Sequence, residues 1–373
     1  MSQPASLYIH IPWCTRRCGY CDFNTYVTDT ADASVTTPYI DALVAELHQA
    51  GRTLEHRRVA TVYFGGGTPT LMPPAGFRRI LAVVRDEFEV DGQAEVTTEA
   101  NPETLSPGRL AELRDAGVNR LSMGMQSAVP RVLATLDRLH TPGRTVDAVA
   151  WARAAGFENL SLDLIYGTPG ESMADWEQSV SAALAAHPEH LSAYSLIVED
   201  RTPLARRMAA GQLAYPDDED LADKYIQADE LFAAAGLAWY EVSNWAKPGF
   251  ECRHNLAYWR GADWWGIGAG AHSHVGQARW WNYRHPGTYA DHAAAGAARA
   301  GGETLTPAQR HAESVMLAMR LADGVDAGEL TPAELARAAG YIGSGHLVRH
   351  GSRLVCTLPG RLIADRITRD VLD

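Results

Sequence analysis

A chain of 373 residues can bury a large core, and 46% hydrophobic with 21% charged residues is ordinary globular composition that excludes a disordered polypeptide. The formal charge of −12 does not suit a protein that sheathes phosphate backbones or lies on an anionic membrane, so no nucleic-acid partner is expected. Five cysteines, odd in number and with three crowded together, do not read as a disulfide framework.

From the N-terminus, "MSQPASLYIHIPWC" has no basic start followed by a sustained apolar run, so no secretory signal is expected. No run of about eighteen apolar residues predicts a membrane span. A cytoplasmic, reducing location follows as the expectation, in which clustered thiols signify metal or redox chemistry.

Strand-like runs then recur: "SLYIHIP", "VATVYFGGG", "EVTTEANP", "RLSMGMQS", "NLSLDLIYG" and "HLSAYSLIV". Helical periodicity lies between them, as in Ile40, Leu43, Val44 and Leu47, and again in Leu221, Tyr225, Ala228 and Phe232. Thr37–Pro38 and Ser106–Pro107 read as a capping side chain before a proline at the first helical position. Ala-Gly pairs ending in Gly51, Gly117, Gly156 and Gly236 read as helix ends, each followed by a strand. Repeated strand–helix units predict a parallel sheet with right-handed crossovers, and six of them an α/β fold of the partial (βα)6, TIM-like barrel type. In such barrels chemistry gathers at the carboxyl ends of the strands. There the sequence places the cysteines, Gly65 to Thr68, Glu99, Gln126 and, just before its strand's end, Asp163.

The barrel core is assigned to residues 1–236. Residues 237–304 differ in character. The stretch to Tyr283 holds seven of the ten tryptophans, with His254, His272 and His274, and "RHPGTYADHAAAGAARAGGET" reads as an Ala/Gly-rich connection. Residues 305–373 read as a small α+β, winged-helix-like C-terminal domain: a capping box at Thr331–Glu334, a hairpin in "HLVRHGSRLVCT", and a last helix.

Cys14, Cys18 and Cys21 supply three thiolates. A structural zinc would want four ligands, with His10 the nearest candidate for the fourth; an iron–sulfur cube held by three would leave one iron open. The spacing Cys-x-x-x-Cys-x-x-Cys with Tyr20 before the last cysteine, followed after the second strand by Gly-Gly-Gly-Thr-Pro, resembles the signature of the radical S-adenosylmethionine (SAM) superfamily. That resemblance implies a 4Fe–4S cluster on Cys14, Cys18 and Cys21, with SAM chelating the open iron. "YIHIPWC", "YFGGGTPT", "TEANP", "MGMQS" and "LDLIYGTPGES" resemble the branch containing oxygen-independent coproporphyrinogen III dehydrogenase. Matched motif by motif, the resemblance places Tyr8, Tyr20, Gly66, Gly67, Thr68, Glu99, Gln126, Arg138 and Asp163 around SAM.

Two features depart from the dehydrogenases: Phe23 stands where they carry a further cysteine, and little sequence precedes the first strand. "HNLAYW", His254 to Trp259, is instead similar to the His-Asn-x-x-Tyr-Trp motif of the HemW-like haem-chaperone branch. It implies a haem site at His254, Asn255, Tyr258 and Trp259. Among the nearby residues, His272 and His274 offer a second ligand and Cys252, two before His254, a further thiolate. The bland reading of the segment is a loop packed by its tryptophans. The expected function is a haem chaperone that passes haem to an acceptor protein, with a low-potential electron donor if SAM is cleaved. The alternatives are the dehydrogenase, which removes two carboxyl groups as carbon dioxide, and a zinc-knuckled barrel enzyme.

Overall fold

The computed structural model describes residues 5–30, 32–54, 58–138, 141 and 143–373. All six strand–helix units are present. The strands are β1 (Ala5–Ile11), β2 (Arg58–Gly66), β3 (Glu89–Ala100), β4 (Arg120–Gln126), β5 (Asn159–Tyr166) and β6 (His190–Ser195). Helices α1 (Ala33–Thr53), α2 (Pro74–Glu87), α3 (Pro107–Ala116), α4 (Arg144–Ala154), α5 (Met173–Ala185) and α6 (Asp218–Ala234) return the chain between or after them. Each strand pairs in parallel with the next in sequence. The sheet stays open, with further strands added at both edges, so the partial barrel expected from the pattern is the fold observed.

Alternation along β2 explains how the sheet divides its environment. Phe64 points outward to Phe77 of α2, ring centroids 4.8 Å apart, while Tyr63 points into the barrel. Burying each such aromatic side chain stabilises the fold by roughly 1.5–3 kcal/mol. The outer face is thereby apolar and the inner face is free to be polar.

After α6 the chain makes a short hairpin, β7 (Ala238–Glu241) and β8 (Asn244–Ala246), the latter antiparallel to β6. Helix α7 (Arg253–Trp259) carries the HNxxYW motif. Then β9 (Trp264–Ile267) pairs in parallel with β1, and β10 (His272–Val275), β11 (Ala278–Asn282), α8 (Pro286–Ala294) and β12 (Arg299–Thr304) extend that edge. The last unit holds α9 (Pro307–Ala318), β13 (Val325–Asp326), α10 (Pro332–Gly343), the hairpin β14 (Leu347–His350) and β15 (Arg353–Cys356), and α11 (Ala364–Leu372). It has its own core around Val315, Leu347 and Ile367. Arg361 ties it to Asp229 of α6 through two 2.8 Å contacts.

Three local expectations are corrected. Helix α1 begins before Thr37, because Asp32 accepts from the Ser34 amide and caps the helix one turn ahead of Pro38. Gly51 lies inside α1, not beyond it: a β-carbon there would sit 2.5 Å from the Glu87 carboxylate, so the glycine makes room for a packed neighbour. Gly117, Gly156 and Gly236 do follow their helices with positive φ. The Ala/Gly-rich stretch from Arg284 to Thr304 is not a connection but α8 and the edge strand β12.

What fixes α8 is Glu46 of α1. Its buried carboxylate accepts from Tyr289 of α8 at 2.6 Å, from Asn282 at 2.8 Å and from the Gly268 amide at 3.0 Å. Burial holds its pKa above the ordinary carboxylate value, with the three donors opposing that rise. Replacing Glu46 by Ala strands all three donors in the interior, and we expect a loss of roughly 3–5 kcal/mol in urea unfolding, against about 1–2 kcal/mol for Tyr289→Phe. An unchanged denaturation midpoint for Glu46→Ala contradicts this account.

Candidate functional site

Strand register gathers the polar residues. Glu99 pairs with Ser122, and Asp163 pairs with both Gly124 and Ser192, so the inward side chains of β3 to β6 share neighbouring layers. They line a cavity of about 910 Å³ whose mouth is ringed by Cys14, Cys18 and Cys21. The three cysteines are free and half-buried, and burial raises the thiol pKa of Cys14 and of Cys21. Two sulfurs already receive donors: the Thr68 hydroxyl at 3.8 Å from Cys14 and the Arg138 guanidinium at 3.5 Å from Cys18.

The loop after β2 is built to approach the cysteine loop. Gly66 adopts φ +116°, which L side chains rarely adopt, and a β-carbon on Gly67 would lie 2.5 Å from the Trp13 carbonyl and 3.1 Å from the Cys14 sulfur. The Gly67 and Thr68 amides bond to the Ile11 and Trp13 carbonyls, locking one loop to the other. Such a bare backbone beside three thiols fits a cluster with one open iron and a chelating amino-acid group. It does not fit a zinc knuckle completed by His10, whose ring nitrogens are taken by the Tyr8 hydroxyl at 3.0 Å and the Asn24 carbonyl at 2.9 Å.

Around this rim, Glu99 accepts from the Tyr63 hydroxyl at 2.9 Å and the Gly66 amide at 3.1 Å. Asp163 accepts from Ser192 at 2.8 Å, Ser122 at 3.1 Å and Ser161 at 3.3 Å. Burial raises both carboxyl pKa values, that of Glu99 to about 7. Gln126 ends β4 with φ +66°, a left-handed conformation uncommon for a side chain of its kind. Arg138 also donates to the Gly124 carbonyl at 3.1 Å, and Tyr20 lines the same cavity. Tyr8 stacks on Tyr63 with centroids 6.3 Å apart. The residues matched to SAM therefore stand around one cavity and its border.

The HNxxYW motif is divided by the fold. The amides of Arg253 and His254 donate to Glu95 at 3.0 and 3.1 Å, so a carboxylate from β3 caps α7, whose own cap residue Cys252 offers no side-chain cap. The His254 ring is 1% exposed, with Nδ1 2.8 Å from Thr61 and Nε2 2.9 Å from Tyr258. Thr61 donates to Ser6, so Nδ1 carries the His254 proton and Nε2 accepts from Tyr258. Burial, aided by Arg120, lowers its pKa to about 3. Both ring nitrogens of His254 are thus engaged by hydroxyl groups in this structure. Cys252 is likewise sealed, its thiol pushed up to about 12 by burial and directed at Glu95. His274 is taken by Arg310 at 3.0 Å. Asn255 reaches the barrel cavity, Tyr258 a neighbouring groove, and Trp259 bonds to Glu241.

Sequence reasoning overlooked Tyr63, Arg120, Ser122 and Ser192. The signal was available, since Arg120, Ser122, Gly124 and Gln126 alternate along β4 and all line the cavity.

The raised pKa of Glu99 makes stability depend on pH. Well below the ordinary value of 4.5 both folded and unfolded chains hold the proton; as pH rises from 4.5 towards about 7 the unfolded chain ionises while the folded chain resists, so stability falls, and above about 7 both are ionised and the loss is complete. Because water reaches the cavity wall, we expect Glu99→Gln to gain about 1–2 kcal/mol over the wild type between about pH 5 and about pH 8. Urea midpoints of the two apo proteins that run parallel across that range contradict the assignment.

A family model described as the Radical SAM superfamily matches residues 8–183. A protein of Mycobacterium tuberculosis named "Heme chaperone HemW" is 50% identical over 99% of this chain and 95% of its own length. The protein of that name from Escherichia coli is 39% identical over 73% of this chain and 70% of its own. A solved structure of coproporphyrinogen III oxidase from Escherichia coli, described as a radical SAM enzyme, superposes with TM-score 0.86 at 23% identity, covering 99% of this chain and 90% of that one. At that identity the likeness speaks for the fold. Thiols at the rim, a glycine loop against them and a full-length match to HemW proteins lead to one assignment: the chain belongs to the radical SAM superfamily and, within it, to the HemW family.

Proposed function

We propose that the protein is a haem chaperone that holds a 4Fe–4S cluster on Cys14, Cys18 and Cys21 and SAM in the barrel mouth, and that delivers haem to an acceptor protein. The observation that carries this reading is the 50% identity to a protein named haem chaperone along 99% of the chain, which spans barrel, HNxxYW helix and C-terminal unit alike. When bound, cluster and SAM supply one-electron reductive chemistry, and the chain's contribution is to hold and shield them. Gly67 admits the close approach, Thr68 and Arg138 donate to cluster sulfurs, and Glu99, Gln126 and Asp163 offer acceptors to the hydroxyl and amino groups of SAM. The acceptor is a protein. Among the described residues no helix is long and apolar enough to cross a membrane.

The dehydrogenase reading has the fold in its favour. Against it stands Phe23, a 61% exposed ring where the dehydrogenases place a cysteine. The test is an anaerobic titration of cluster-reconstituted protein with haem, followed in the Soret region, beside an assay with coproporphyrinogen III and SAM. We expect a saturable shift near one haem per chain and no release of carbon dioxide. SAM-dependent decarboxylation without a haem shift overturns the chaperone reading. Cys14→Ser, Cys18→Ser and Cys21→Ser are each expected to lose acid-labile sulfide after reconstitution.

A further inference from the structure

A second groove opens beside the barrel cavity, with a volume of about 670 Å³ and with Phe23, Gly66 and Glu99 common to both. That size lies in the range of sites for small molecules. One wall is the ribbon of β9 and β10, the other is α9 of the C-terminal unit, through Met316 and Leu317. Its borders expose large apolar side chains: Phe23 is 61% and Met316 37% accessible. Tyr8, Tyr258 and Trp264 complete an aromatic lining.

Histidines separate sharply by their partners. His10 in the groove and His190 in the barrel have both ring nitrogens bonded, as does buried His254. His272 lines the groove, is exposed, rests against the Trp281 ring at 5.8 Å, and makes no hydrogen bond through either ring nitrogen among the described residues. Burial, with Arg279 and Arg284 nearby, holds its pKa below the ordinary value, which keeps the imidazole neutral and able to ligate. Arg279 is engaged with Glu303 and Glu313. The Arg284 guanidinium has no ion pair or hydrogen bond among the described residues, while its backbone carbonyl is held by Asn24 at 2.9 Å at the groove's edge.

Resting on the haem-carrying reading, we infer that haem sits in this groove, with its ring between Phe23, Trp264 and Met316, its iron on His272, and a propionate on Arg284. The placement matches chemistry to chemistry: an apolar disc against aromatic and thioether walls, a metal at the free imidazole, a carboxylate at the free guanidinium. It also sets the cargo beside the cluster loop, with Phe23 at the junction. The HNxxYW helix then serves by holding Tyr258 in the wall, through His254, and not by ligation.

The experiment is a haem titration of the reconstituted wild type, His272→Ala, Met316→Trp and Arg284→Gln, with electron paramagnetic resonance of the ferric complexes and with cluster content as a check on folding. His272 is exposed and unbonded, so its loss leaves the fold intact. We expect His272→Ala to weaken haem binding about tenfold or more and to lose the signature of an imidazole ligand, which added imidazole restores. Met316→Trp, which fills the groove, weakens haem without changing cluster or SAM content. Arg284→Gln weakens haem but not its dimethyl ester. If the wild type binds haem and His272→Ala and Met316→Trp bind it equally well and with the same signature, the placement is wrong while haem carriage stands. If the wild type binds none, haem carriage fails and the placement falls with it.

Discussion

One buried carboxylate, Glu95, holds α7 against the barrel. It accepts the first amides of α7 and the Cys252 thiol, so a helix that lacks its own cap is fixed beneath the strands. From there contacts run without a gap. His254 stacks on Tyr63 with centroids 4.9 Å apart, Tyr63 donates to Glu99, Glu99 accepts from Gly66, and the next two amides bind the strand that leads into Cys14. The thiol rim is thus linked through packed side chains to the cap of α7.

The same chain of contacts explains why the cavity wall can be polar. A parallel barrel normally fills its interior with branched apolar side chains. Here the inner faces of β3 to β6 carry carboxylates, serines and a guanidinium, and each buried acid is met by hydroxyl or amide donors. The desolvation these carboxylates suffer is what raises their pKa, and a cationic ligand in the cavity relieves it. Buried carboxylates in the wall suit a positively charged ligand, which an apolar interior would not.

What was legible in the sequence was whatever a short window determines. The cysteine spacing, the strand ends at Glu99 and Gln126, and the cap at Ser106 depend on residues within a few positions of each other. Gly51 was misread because its reason lies 36 residues on, in Glu87, and α8 was misread because Tyr289 is held by Glu46, 243 residues earlier. No local composition reports such a partner: alanines and glycines that look like a linker become a helix when one tyrosine finds a buried acid. Tyr63 and Arg120 are a different failure, since strand alternation alone would have turned both inward.

The histidines make the same point about function. As letters, His254 and His272 are equal candidates for a metal, and a motif favours the first. The fold gives His254 a hydroxyl at each nitrogen and almost no exposure, which occupies its lone pair and limits its access together. His272 receives a ring neighbour on one side and an open groove on the other. A ligand must offer a lone pair to something that can arrive, and only the second residue does. On the placement proposed above, the motif marks the binding region through residues that build its wall, while the ligating atom lies on a strand outside the motif.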